Sequence, residues 1–171
     1  MPNLTVELYR SCKSSGWSGK TADKKSEAFT AAHGKGSLYP DYEGFTRKDG
    51  SFRPPDVTTF TARDGTSWVR GVDDRDENRR PFVSWKEGVS VSTARGGFGY
   101  TGWFYFLLPE GTAVPGSLDV RHTPTRNDEG HHSIRCLNLM RQDAYEGALD
   151  NLARAALARA VELGKQSLYF S

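Results

Sequence analysis

Cysteine is nearly absent, and its two positions, Cys12 and Cys136, lie far apart with no neighbouring ligand pair. That excludes a disulfide framework and a zinc-finger pattern, and no metal is expected. Long hydrophobic runs are also missing. The longest, WFYFLL at residues 103–108, is far short of the ~20 residues that cross a bilayer. The opening residues carry no basic stretch followed by an apolar one, so no cleaved secretory signal is expected. Charge of one sign is lacking too. The 23 basic and 21 acidic residues leave a formal charge of +2, which gives no electrostatic ground for a dedicated nucleic-acid or membrane surface. Neither a nucleophile elbow, nor H-E-x-x-H, nor a P-loop, nor a paired-carboxylate signature occurs.

What is present points to a β-rich domain. Eighteen glycines and an aromatic content of 12% suit many turns, and 171 residues suit one core, so one domain over 1–171 is expected. LTVELYR at residues 4–10 alternates, with Leu4, Val6 and Leu8 on one face. Arg10 falls on that same face, where a guanidinium needs a partner or a cleft. Residues 11–80 are polar, with a weak helical patch at 26–32 and a charge run, DDRDENRR, read as a solvated loop. Asp49-Gly50 and Asp64-Gly65 are turn dipeptides, and the second is expected to close a hairpin between TTFTA and SWVRG.

The second half is more regular. GVSVS reads as a strand with Val89 and Val91 inward and Ser90 and Ser92 on a wet face, followed by a glycine-rich turn. WFYFLL reads as a central strand buried on both sides. SLDVRH and HHSIRCLNL read as two further strands, with TPTRNDEG between them as an exposed turn. A helix follows. Asp143 and Glu146 form a D-x-x-E capping box, and Tyr145, Leu149, Leu152, Ala156, Ala160 and Leu163 form the apolar stripe. Asp150 and Arg154 pair outside, and Gly164 ends the helix. Strands grouped together without βαβ alternation give an α+β fold of antiparallel strands.

Three polar features sit where these elements meet: Arg10, the Ser90/Ser92/Thr93 group, and His131-His132. An arginine fork, hydroxyls and a titratable imidazole suit a phosphate-bearing ligand. They equally suit a metal-independent ribonuclease.

LYR, GVSVS, PEGTAVPGSLDVRH, HHSIRCLNL and YEGALDNLARAALARA occur in that order. In this the chain resembles the small type VI secretion effector toxins with an ADP-ribosyltransferase-like fold. The resemblance implies a split antiparallel sheet with flanking helices and an NAD-dependent cytotoxic enzyme. That enzyme would be a mono-ADP-ribosyltransferase or an NAD glycohydrolase, with NAD as substrate. It implies that Arg10 anchors NAD, that Ser90 with Ser92 and Thr93 props the nicotinamide pocket, and that His131 with Ser90 and Arg10 serves the reaction. Ser133 matches the hydroxyl after the histidine. Val89 departs from the family's hydroxyl at that position, and no glutamate stands at the usual catalytic place, Glu129 being the nearest acid. A cognate immunity protein and bacterial competition are implied as well. So is residence in the producer's cytoplasm and delivery into the target cell's cytoplasm, or a purely intracellular role if the chain belongs to a toxin–antitoxin pair. A ribonuclease toxin and a non-enzymatic binding module on the same fold remain the alternatives.

Overall fold

A computed structural model describes residues 2–12, 36–84, 87–94 and 104–165. Its ten strands are β1 (Leu8–Cys12), β2 (Phe45–Thr46), β3 (Phe52–Arg53), β4 (Thr59–Thr61), β5 (Ser67–Val69), β6 (Val89–Ser92), β7 (Phe104–Leu108), β8 (Leu118–His122), β9 (His131–Cys136) and β10 (Met140–Arg141). A helix, Gln142–Glu162, follows. The main sheet has the order β7-β1-β6-β9-β8, and every neighbouring pair in it is antiparallel. A second sheet, β10-β5-β4, and the β2-β3 hairpin are antiparallel as well. This is the α+β class expected. The helical patch at 26–32 and the Gly96-Gly97-Phe98-Gly99 turn lie outside the described residues.

The core forms where apolar faces of the main sheet meet the helix. Leu8, Val89, Val91, Phe106, Leu108 and Ile134 are buried against Tyr145, Leu149, Leu152, Ala156 and Ala160. Alanines at 153, 156 and 160 are fully buried, which lets the helix backbone approach the sheet closely. Tyr105 to Leu108 are all buried, as expected of a strand covered on both faces, but β7 stands at one end of the described strand order, not its centre. The aliphatic N-terminal run divides. Regular pairing begins at Leu8, while the backbone of Leu4 exchanges hydrogen bonds with Thr112 and Gly111 (2.9 and 2.8 Å).

The helix differs from expectation at its start. Its N-cap is Arg141, the last residue of β10, so the chain passes from strand to helix and Asp143 falls inside the first turn. No side chain caps the helix, and Asp143 instead pairs with Arg141 at 3.3 Å, a carboxylate well placed on the positive end of the helix dipole. The end is as expected. Gly164 has φ 68, and the amides of Gly164 and Lys165 return to Val161 and Ala160 in a Schellman arrangement. Leu163 is the C-cap and is exposed, so it leaves the stripe.

Asp150 also departs from expectation. It is buried, accepts from the Gly36 amide (2.9 Å) and the Tyr39 hydroxyl (2.7 Å), and so fastens the segment beginning at residue 36 to the helix. Arg154 bonds Asn151 instead. The same segment is tied to the sheet through Asp56. Its carboxylate accepts from Arg10 Nη2 (3.4 Å), Arg53 Nη2 (3.2 Å) and the Asp41 amide (3.0 Å), and its carbonyl accepts from Gly88 of the β6 entry (2.9 Å). The Asp64-Gly65 turn joins β4 to β5 and Asp49-Gly50 joins β2 to β3.

Phe106→Ala is expected to cost about 3–5 kcal/mol, the range for removing a buried ring, read as a lowered denaturant midpoint. Wild-type stability would mean that β7 does not carry the core. Asp56→Ala strands Arg10 and Arg53 beside an emptied acceptor and is expected to cost about 3–5 kcal/mol, as for a broken buried ion pair. A loss below about 1 kcal/mol, the scale of an exposed pair, would show that the cluster is dispensable.

Candidate active site

The register of β6, β9 and β8 determines which side chains share a face. Tyr9, Ser92 and His131 stand in one cross-strand row, and Ser90, Ser133 and Arg121 stand in the next. Directly paired residues of antiparallel strands point to the same side. Four of the residues singled out from sequence, Ser90, Ser92, His131 and Ser133, therefore converge on one face of the main sheet. Ser90 is half-buried, but Ser92 is fully buried, against the expectation of a wet edge. The reason is that β6 is an interior strand, flanked by β1 and β9. Ser92 Oγ accepts from the Ala94 amide (3.1 Å) and shapes the exit of the strand. Thr93, next along, is exposed.

His131 is held by its Nδ1 edge. That nitrogen lies 3.0 Å from the Thr123 carbonyl and 2.9 Å from Thr123 Oγ1, and Thr123 Oγ1 lies 2.7 Å from Ser133 Oγ. A carbonyl only accepts, so the ring proton of neutral His131 resides on Nδ1 and the lone pair on Nε2. Burial lowers the imidazole pKa below its ordinary value. The Thr123 carbonyl and the Asp128 charge oppose the shift without cancelling it. The product is a neutral, oriented base at neutral pH. His132 points to the other face, where its ring packs at a 32° tilt against His122 with centroids 4.9 Å apart.

Thr123 was missed, because TPTRNDEG reads as an exposed turn. Its first residue is in fact fully buried, and its amide continues the β8–β9 ladder onto the His131 carbonyl (2.9 Å). The rest of the turn is tightly made. The Thr93 amide donates to the Gly130 carbonyl (3.1 Å), and a Cβ at Gly130 would lie 1.9 Å from Thr93 Oγ1. Glycine is needed there because the two strand ends touch. Glu129 is exposed and uses its carbonyl to accept from His122 Nε2 (2.6 Å). The acid closer to the histidine is Asp128, whose Oδ1 accepts from the Gly130 amide (3.1 Å) while its Oδ2 is buried with no hydrogen-bond partner among the described residues.

Arg10 leaves β1 on the Leu8 side, as its alternation requires. β1 and β6 share one register pair, Tyr9 with Ser92, and beyond it Arg10 Nη1 reaches the Ser90 carbonyl (2.9 Å). Nη2 meets the Tyr39 carbonyl (3.2 Å) and Asp56 (3.4 Å). The expected cleft arginine thus touches the expected cleft serine, through its backbone, at the point where the sheet splits. Most of its donors are already engaged.

No group of three or more histidine, cysteine or acidic side chains is placed to hold a metal ion among the described residues. In the same region no helix is long and apolar enough to cross a membrane. A neutral histidine of fixed tautomer, serine hydroxyls in adjoining rows and a guanidinium at a split sheet suit proton transfer beside a polar ligand.

No curated protein matches the chain. The family model described as Tse2 ADP-ribosyltransferase toxin matches residues 6–161, a span that takes in β1, all of β6 to β10 and nearly the whole helix. The chain belongs to the Tse2 ADP-ribosyltransferase toxin family.

Proposed function

We propose that this single domain is an NAD-consuming cytotoxic enzyme, a mono-ADP-ribosyltransferase whose reaction takes place on the sheet face of Ser90, Ser92 and His131. The observation that carries the reading is the His131–Thr123–Ser133 series, which fixes an unprotonated Nε2 on the same face as Ser90. In this reading the bond between the nicotinamide nitrogen and C1′ of its ribose breaks, and its electron pair leaves with nicotinamide. The acceptor forms the new bond to C1′ and gives its proton to His131 Nε2. Ser90 and Ser92 line the nicotinamide end, Thr93 stands at the mouth, and Arg10 supplies positive charge at the split. With water as acceptor the same steps give NAD hydrolysis.

A toxin of this kind requires protection of its producer. A cognate immunity protein, type VI delivery and action in the target cytoplasm all belong to the reading. The macromolecular acceptor belongs to it too, as a nucleophile able to reach C1′ from the Thr93 side.

The test is nicotinamide release from NAD by the purified protein, alongside growth arrest on induction. His131→Ala is expected to lose about 10²–10⁴-fold in rate, the usual contribution of a general base, with unchanged circular dichroism. His132→Ala, on the opposite face, should lose far less. Release of nicotinamide by His131→Ala at the wild-type rate would remove the histidine from the reaction. RNA cleavage in buffer without NAD would replace the reading with a ribonuclease, and equal toxicity of an Arg10→Ala/His131→Ala double variant would replace it with a binding module.

The pH profile gives a second check. Burial disfavours the imidazolium, so His131 stays unprotonated below the ordinary histidine value of about 6.5. The rate should be flat above neutrality and fall on acidification, with a midpoint below about 6.5. A midpoint at or above that value would contradict a desolvated base.

A further inference from the structure

At the end of the serine row and in the row beyond it, the same sheet face carries two arginines with unfilled hydrogen-bond donors. Arg121 on β8 stands opposite Ser133, and Arg135 on β9 stands opposite Asp119, so the two arginines are diagonal neighbours, with Cα atoms roughly 7–8 Å apart. Arg135 is 1% exposed and is among the largest fully buried side chains. Its Nε donates to the Arg70 carbonyl (3.0 Å), while its Nη1 is buried without a hydrogen-bond partner among the described residues. Nε and Nη2 of Arg121 are likewise buried and without a hydrogen-bond partner there. The ion partner of this pair is Asp119, 3.6 Å from Arg121 Nε, with both side chains partly open to solvent. Two guanidiniums and one carboxylate leave one net positive charge.

Arg121 Nη2 and Arg135 Nη1 have no hydrogen-bond acceptor among the described residues, Arg121 Nε has only the long Asp119 ion pair, and such buried donors are expensive. Each costs about 1–3 kcal/mol, and charged groups cost more. A bound anion would remove that cost. Arg121 is partly exposed and its diagonal neighbour Arg135 is buried, so an arriving anion meets the first and feels the field of the second. The row Ser90–Ser133–Arg121 connects this charge to the candidate site. Arg10 is less suited to the task, since its fork already serves the Ser90 and Tyr39 carbonyls and Asp56.

We propose that Arg121, backed by Arg135, forms an anion subsite that takes a phosphate of the pyrophosphate of the dinucleotide substrate. The identity of the phosphate's carrier rests on the NAD reading above. The existence of the subsite does not.

The experiment is calorimetric titration of the full chain with inorganic pyrophosphate, ADP-ribose and nicotinamide in turn. Arg121→Gln is expected to weaken pyrophosphate and ADP-ribose binding about 10- to 100-fold, the scale of a lost charge-assisted fork, and to leave nicotinamide binding unchanged. Arg121→Lys should fall between, because an ammonium keeps the charge and loses the fork. Asp119→Asn removes the competing carboxylate and should tighten both phosphate ligands severalfold, a gain that a damaged fold cannot imitate. Wild-type affinity for pyrophosphate and ADP-ribose in Arg121→Gln would overturn the subsite, as would a wild type that binds neither. A wild type that binds pyrophosphate through Arg121 but takes neither NAD nor ADP-ribose would leave the subsite standing and remove the NAD reading. A wild type that consumes NAD, with Arg121→Gln unaffected in every titration, would do the reverse.

Discussion

The Asp56 carboxylate is the point on which the arrangement depends. Its side chain is 6% exposed and accepts from two guanidiniums and one backbone amide. Arg53 also reaches Asp41 at 3.6 Å, so the cluster holds two positive and two negative charges. Desolvating such charges is repaid only when the remaining lone pairs and protons find partners. Here they do, and the cluster joins three parts of the chain. Arg10 comes from β1, Asp41 and Arg53 from the polar segment, and Asp56 itself grips the entry to β6 through its carbonyl. The polar segment is fixed against the sheet by this cluster and against the helix by Asp150, and it adds Leu38, Val57 and Val69 to the core.

This fastening has a consequence for the site. Where β1 and β6 diverge, the Ser90 carbonyl would lose its neighbouring strand. The Arg10 guanidinium takes it instead, and Asp56 keeps that guanidinium aimed. The split in the sheet is therefore stabilised from within, and the hydroxyl row of β6 stays level with β9. His131 gains its orientation from the other side, through Thr123, so two independent constraints meet at β6 and β9.

Much of this was legible in the sequence, and the failures have physical causes. Alternation placed Arg10 with Leu8, and the helical spacing from Tyr145 to Ala160 identified the buried stripe. The serine face was misjudged because alternation tells which residues share a side, not whether that side is covered, and Ser92 lies under neighbours on both flanks. Asp150 was assigned outward because a carboxylate four residues before an arginine usually pairs on the surface. The segment that buries it begins more than a hundred residues earlier, at Gly36. The capping box failed for a local reason. D-x-x-E presumes a loop before the helix, and here a strand runs directly into it. Thr123 was invisible because its role depends on register with β9, which no local pattern encodes.

The spacing along β9 adds a final step. His131, Ser133 and Arg135 face the same way on one strand, and alternate residues are separated by roughly 6.5–7 Å. The face therefore runs from an uncharged base, through a hydroxyl row that ends on Arg121, to Arg135 and Asp119 one row further. A dinucleotide laid along it in the proposed sense would place its phosphates at the cationic end and its reacting ribose one or two rows away, beside His131. That separation is chemically useful. The sugar becomes oxocarbenium-like as nicotinamide departs, and a cation directly beneath it would raise the barrier. A histidine kept neutral by burial avoids that repulsion and still accepts a proton. The role of a conventional acid is then divided. Proton acceptance falls to His131, while the nearest negative charge belongs to Asp128 in the turn that also positions the histidine amide, 3.3 Å from its carbonyl.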